Sequence, residues 1–158
     1  MNLDNIKAFK LNNSEVKVCD LDRTLILSVV GAGRGPLVRK AIEACVEATI
    51  NYKIYVVEKN KNAYNTLMYL KLNESDVFNE KVILQWGDMR SWEPKEKLDI
   101  VISELLGSFG DNESSPECLI NIQKFLSSDS IMIPHSYDSY IRPVSCPVVW
   151  KNVYNFLN

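Results

Sequence analysis

Apolar residues along this chain fall into two alternating rhythms. Short, nearly uninterrupted apolar runs at 24–30, 53–57, 82–85, 98–103 and 130–133 read as strands buried on both faces. Between them lie segments of helical period. Residues 36–48 carry Leu37, Val38, Ala41, Ile42, Cys45 and Val46 on one face, with Pro36 at a first-turn position that tolerates proline. Residues 62–72 and 116–126 read as two further helices, the latter capped by Ser114 or Ser115. Strands alternating with helices imply right-handed crossovers and a mainly parallel, doubly wound sheet of about five strands, Rossmann-like, with helices on both faces.

The ends depart from this rhythm. Residues 1–23 show no clear period and are expected to form a poorly ordered or partly helical lead-in. The Rossmann-like unit is assigned to 24–136. The tail, 137–158, contains Tyr137, Tyr140, Pro143, Pro147, Trp150, Tyr154 and Phe156. It is expected to hold the first strands of a truncated C-terminal β-barrel domain; the alternative is an edge strand and a terminal helix that complete the sheet.

Composition narrows the field. At 158 residues the chain suits one domain, and a chain of that length buries roughly two thirds of the surface its unfolded form exposes. The net charge of −2 supplies no basic field for holding nucleic acid, so no direct nucleic-acid partner is expected. Cys19, Cys45, Cys118 and Cys146 form no CxxC pair and His135 is the sole histidine, so no metal site is expected and the thiols read as reduced. No secretory signal opens the sequence, and the longest apolar stretch is too short to span a bilayer, so no membrane partner is expected.

Candidate chemistry gathers at the strand ends, where open parallel sheets bind ligands. Gly31-x-Gly33-x-Gly35 follows the first strand; such turns bring backbone close to a ligand or simply accommodate positive φ. Pro36 stands where the dinucleotide fingerprint has its last glycine, which tilts the reading away from NAD. Glu58 ends the second strand, where a carboxylate can accept from both ribose hydroxyls; the plainer alternative is an exposed acid paired with Lys59 or Lys61. After the third strand Asp88 suits an adenine amino group, or is a turn former, and Met89 offers a soft apolar face to the ring. Together they describe a nucleoside pocket with no phosphate cradle, which fits S-adenosylmethionine.

The fourth strand runs into SELLGSFGDNE, in which Glu104 and Glu113 flank a glycine-bearing turn able to fold back as a hairpin. Two carboxylates in one pocket repel unless a cation lies between them. A guanidinium is planar, permanently charged and able to pair bidentately with each. Held from two sides, it would have its charge drawn away from one terminal nitrogen, freeing that nitrogen to accept a methyl group, mainly through orientation and matched electrostatics. The alternative is an exposed acidic loop.

The segment SELLGSFGDNESSPECL resembles the double-glutamate loop of the type II, symmetric-dimethylating protein arginine methyltransferases. VVGAGRGPLVRKAIEA and YVVEKNKNAYNTL resemble that family's first and second cofactor motifs, and GDMRSW its adenine motif. The similarity runs from about Thr24 to Tyr140. It implies methyl transfer from S-adenosyl-L-methionine, with S-adenosyl-L-homocysteine as product, to protein arginines. Glu104 and Glu113 would be the catalytic clamp. Gly31, Gly33, Gly35, Glu58, Lys59, Asp88, Met89 and Glu104 would line the cofactor pocket.

The resemblance also implies Gly/Arg-rich substrates such as histones and spliceosomal core proteins, cytoplasmic and nuclear location, and roles in chromatin regulation and mRNA splicing. A WD-repeat partner would bind the family's N-terminal domain. Gly110 and Ser114 stand where the family usually has Ala and Leu. The family's N-terminal barrel, its cofactor-closing helix and its C-terminal β-barrel have no counterpart here. The expectation is therefore an excised catalytic-domain segment, inactive alone. Competing readings are a pseudoenzyme or arginine-tail binding module, and a NAD-dependent oxidoreductase.

Overall fold

The structure is a computed structural model and describes residues 9–11, 14–16 and 23–157. Five strands form one sheet: β3 (Leu25–Val30), β4 (Tyr52–Glu58), β5 (Val82–Trp86), β6 (Leu98–Ser103) and β7 (Leu126–Ile133), in the order β5-β4-β3-β6-β7 with every pairing parallel. Helix α1 (Pro36–Glu47) connects β3 to β4, and α2 (Lys61–Asn73) leads from β4 toward β5. Strand order therefore reverses between β3 and β6, where such sheets bind ligands. The expected α/β architecture is present.

Each sheet face is covered differently. Leu27, Val29, Ile54 and Val56 point to the side packed by Val38, Ala41, Ile42 and Cys45 of α1, Leu67 of α2, and Phe78. Ile26, Val30, Val57 and Val101 point to the other, where Met89, Ile122 and Leu119 close the core. Alternation along β3 and β4 is thus apolar in both phases, as burial on two faces requires.

Local chemistry sets the helix boundaries. Pro36 opens α1 behind Gly35, while the Asn60 side chain caps α2 by accepting from the backbone N–H of Asn62 and Ala63. Arg39 binds α1 to the end of α2: its guanidinium lies 2.6 Å from Glu74 and 5.1 Å from the Phe78 ring centroid.

Three expectations change. The helix read over 116–126 breaks into α3 (Ser115–Leu119) and a 3-10 turn (Ile122–Phe125), and β7 begins at once at Leu126. Ser114 precedes α3 at φ 61 and makes no side-chain cap. In the tail, α4 (Pro147–Leu157) stands where opening strands were expected. Val149, Trp150, Val153 and Tyr154 follow a helical i, i+3, i+4 spacing, and the Trp150 and Tyr154 rings lie 6.3 Å apart one turn from each other. Its aromatic content suggested β structure, but its period is helical. The lead-in expectation falls mostly outside the described residues; within them, β1 (Phe9–Leu11) and β2 (Ser14–Val16) pair antiparallel instead of forming a helical turn.

A buried carboxylate anchors the amino-terminal edge of the sheet. Asp99 on β6 accepts from Ile26 N–H on β3 at 2.9 Å, from Ser127 Oγ on β7 at 3.2 Å, and from Arg23 at 2.9 and 3.0 Å. Asp99→Ala would orphan the Ile26 amide, and an unfolding midpoint in urea should report a loss of about 1–3 kcal/mol. Burial pushes the Cys45 thiol up to about 11. At pH 8 iodoacetamide should accordingly leave Cys45 unmodified in the folded protein and alkylate it in denaturant, as read by peptide mass mapping.

Candidate active site

Every candidate residue lies at the carboxyl edge of the sheet. Gly31, Gly33 and Gly35 follow β3, all with positive φ. They serve different ends. A methyl on Gly35 would sit 3.0 Å from Leu67, so Gly35 lets α2 pack against the turn. A methyl on Gly31 would sit 3.0 Å from Leu105 and 3.3 Å from Met89. Among the described residues nothing lies within 4 Å of a methyl built on Gly33, the one glycine of the three whose backbone they leave open to a ligand.

Glu58 is buried and, among the described residues, pairs with no lysine, Lys59 and Lys61 included, which removes the reading of it as an exposed acid paired with either. Its Oε2 accepts from Gly33 N–H at 2.7 Å and its Oε1 from Asn60 N–H at 2.6 Å. One carboxylate therefore fixes both the glycine turn and the α2 cap. Each oxygen keeps further acceptor capacity, so a vicinal diol could still bind. Gly87 N–H completes the corner by donating to the Glu58 carbonyl at 3.1 Å.

Asp88 forms an Asx-type turn. Its Oδ1 accepts from Arg90 N–H at 3.0 Å, and the Arg90 guanidinium grips both oxygens, 2.5 Å at the closest. The Arg90 side chain, then its backbone N–H, holds the Asp88 carboxyl far below the usual carboxylate range. Lys59, an exposed side chain, reaches to 3.9 Å from the same carboxylate. Asp88 is thus a turn former, whose oxygens an adenine amine would share with Arg90. Met89 is buried beneath Gly31, and Asn121 steadies its loop by donating to the Trp92 carbonyl at 2.9 Å.

Beyond β6 the chain does double back. Gly107 and Gly110 form an isolated antiparallel bridge, with Gly107 N–H donating to the Gly110 carbonyl at 2.9 Å. Residues 111–114 then coil as a turn closed by Ser114 N–H on the Asp111 carbonyl at 2.8 Å. Asn112 staples the hairpin from within: its Oδ1 accepts from Phe109 N–H at 3.1 Å and its Nδ2 lies 3.3 Å from Ser108 Oγ. Any side chain on Gly107 would overlap Asn112 and lie 2.6 Å from Cγ of Glu113. The fold-back thereby lays Glu113 against Gly107. Both Glu104 and Glu113 are exposed, and neither carboxylate has a hydrogen-bond or ion-pair partner among the described residues.

Asn112 and Asn121 escaped the sequence reading as positioning residues. An asparagine two residues after a Gly-x-x-Gly turn was the available signal for the first; for Asn121 there was none, because its partners lie some thirty residues away. Beside the loop, a cleft of about 480 Å³ opens between Leu105, Leu106, Leu119, Met132, His135 and Tyr137. No cluster of three metal-ligating side chains occurs among the described residues, and no helix there is long and apolar enough to cross a membrane.

Comparison with known proteins bears on the family and the fold. A family model described as PRMT5 arginine-N-methyltransferase matches residues 4–133. Protein arginine N-methyltransferase 5 of Xenopus laevis is 48% identical over 128 residues, 81% of this chain and 20% of the relative. The Oryza sativa subsp. indica protein of the same name is 53% identical over 128 residues, 81% of this chain and 19% of its own. The chain thus spans about a fifth of the length of these relatives. Among solved structures, the Trypanosoma brucei PRMT1 enzyme-prozyme complex with AdoHcy shares the fold, with a TM-score of 0.59 at 22% identity, covering 71% of this chain and 33% of that one. On the family match and the shared sequence, the chain belongs to the PRMT5 family of arginine N-methyltransferases.

Proposed function

We propose that this chain is the cofactor- and guanidinium-binding part of a longer protein arginine methyltransferase that uses S-adenosyl-L-methionine and releases S-adenosyl-L-homocysteine. The observation that carries the reading is the pair of exposed, unpartnered carboxylates, Glu104 and Glu113, on a stapled hairpin next to the glycine turn. Family membership supports it, and so does the open face over Gly33.

The residues fit such a cofactor. Glu58, already oriented by two backbone amides, would accept from the ribose hydroxyls. Met89 would lie against the adenine, with Asp88 shaping the turn and Lys59 and Asp88 at its rim. Gly33, with Gly31 and Gly35 shaping its turn, would bring backbone to the methionine end. When bound, the cofactor supplies an electrophilic methyl group on a sulfonium. Glu104, which the resemblance also assigns to the cofactor pocket, and Glu113 would hold an arginine side chain between them. Their charges would orient one terminal nitrogen and draw positive charge off it. Neither carboxylate has to be freed from another partner first, so a guanidinium would meet both ready to accept.

The finer reading rests on the resemblance to the type II enzymes: monomethyl and symmetric dimethyl products, Gly/Arg-rich substrates such as histones and spliceosomal core proteins, a WD-repeat partner, and work in both nucleus and cytoplasm. Mass spectrometry of a methylated Gly/Arg-rich peptide separates symmetric from asymmetric product.

Two measurements test the core of the proposal. S-adenosylhomocysteine at about a hundredfold excess over its Kd should raise the melting temperature by about 5–10 °C, and NAD should not; stabilisation by NAD alone would overturn the cofactor assignment. In the full-length protein, Glu104→Gln or Glu113→Gln should lower kcat/KM for an arginine peptide by about a hundredfold or more with S-adenosylhomocysteine affinity largely kept. Lost cofactor affinity with no specific effect on the peptide would argue against the clamp.

A further inference from the structure

The hairpin bearing the two glutamates is held from outside as well as from within. Gly110, at its tip, has φ 59, a left-handed conformation that a side chain disfavours. It also lacks room for one. A methyl on Gly110 would sit 2.6 Å from Cε2 and 3.3 Å from Cδ2 of Tyr137, and 2.7 Å from Oγ of Ser139. The tyrosine ring edge therefore rests directly on the glycine backbone.

Tyr137 belongs to the segment that leaves β7, the neighbour of β6 in the sheet. Glu104 follows β6 directly, so the hairpin is bounded by β6 at its root and by the Tyr137 segment at its tip. The same tyrosine forms one wall of the cleft whose other wall includes Leu105 and Leu106, the residues that follow Glu104. Within the hairpin the internal ties are a single bridge, Gly107 to Gly110, the Asn112 side chain, and two turn hydrogen bonds, Asn112 N–H to the Phe109 carbonyl and Ser114 N–H to the Asp111 carbonyl. So short a ladder with two glycines has little stiffness of its own. A bulky ring at the tip limits the motions open to Gly110, and through the bridge those open to Gly107, against which Glu113 lies.

We propose that Tyr137 is a positioning residue for the Glu104–Glu113 loop: its ring, seated on Gly110, holds the hairpin in the shape that presents both carboxylates together. This rests on the clamp reading of those glutamates. The contact is made by ring carbons, so the ring matters and the hydroxyl does not.

The test compares Tyr137→Ala and Tyr137→Phe with the unmodified full-length protein. Tyr137→Ala should lower kcat/KM for a Gly/Arg-rich peptide about tenfold to a hundredfold, since small displacements of catalytic groups carry losses of that order. S-adenosylhomocysteine affinity should stay within about twofold, because most of its pocket is built at the ends of β3, β4 and β5, away from Gly110. Tyr137→Phe should match the unmodified protein in both. Unchanged kinetics in Tyr137→Ala, or an equal loss in Tyr137→Phe, would overturn the proposal.

If Tyr137→Ala does not fold, Tyr137→Leu removes the ring while keeping an apolar side chain and should give the same selective loss; full activity in that variant would count against it. A readout independent of activity separates this inference from the clamp reading. Hydrogen exchange at the Gly107 amide should quicken about tenfold or more in Tyr137→Ala and not in Tyr137→Phe. Should the unmodified protein fail to methylate any arginine peptide, the clamp reading falls, and exchange at Gly107 decides whether Tyr137 braces the loop. Unaltered exchange there would end the proposal.

Discussion

A carboxylate withdrawn from water must find partners, and Glu58 finds them in two backbone amides that belong to different parts of the site. Gly33 N–H comes from the turn after β3, and Asn60 N–H from the start of α2. Much of the carboxyl edge is arranged around that charge. The glycine turn cannot drift without orphaning a buried oxygen, and the residue that caps α2 is tied to the same group. Next along the edge, Gly87 hangs from the Glu58 carbonyl and leads into the Asp88 turn. This corner of the carboxyl edge is therefore shaped by the protein's own hydrogen bonds, and its stability and its geometry are one property.

The two acidic systems of the chain contrast with each other. Glu58, Asp88 and Asp99 are each satisfied by donors within the protein, and each fixes backbone. Glu104 and Glu113 are satisfied by nothing among the described residues and lie exposed on a loop. A net charge of −2 says nothing of this division. It follows from what each carboxylate meets: Glu58, Asp88 and Asp99 each meet a backbone amide, whereas Glu104, directly after β6, and Glu113, on the hairpin, are left to act on something else. The apolar core under Met89 and Leu105 sets the boundary between them.

Much of the architecture was legible because burial on both faces leaves a plain signature. The apolar runs of β3, β4, β5 and β6 announced themselves, and their ends located the glycine turn, Glu58, Asp88 and Glu104 at one edge. The reading faltered where local period and composition disagreed. In α4 aromatic content argued for strand while spacing made helix, and from 116 to 126 one apparent helix was cut in two to let β7 start early and cover Leu98. Distant partners were not legible at all. Nothing in the sequence joins Asn121 to Trp92, Tyr137 to Gly110, or Arg23 to Asp99, since those contacts exist only once the sheet has ordered its strands.

Strand order also bears on assembly. β3 pairs with β4 across one helix, β4 with β5 across another, and β6 with β7 across a short helix and a 3-10 turn, so three of the four pairings join neighbours in sequence. The β3–β6 pairing is different, because the Ile26 to Asp99 hydrogen bond spans 73 residues. Closing so long a loop costs chain entropy before any contact returns it, which makes this pairing the one the topology places furthest out of reach. Yet it is this seam, between β3 and β6, that sets the glycine turn beside the hairpin of Glu104 and Glu113. The two groups of candidate residues therefore become neighbours only through the longest-range pairing among the described strands.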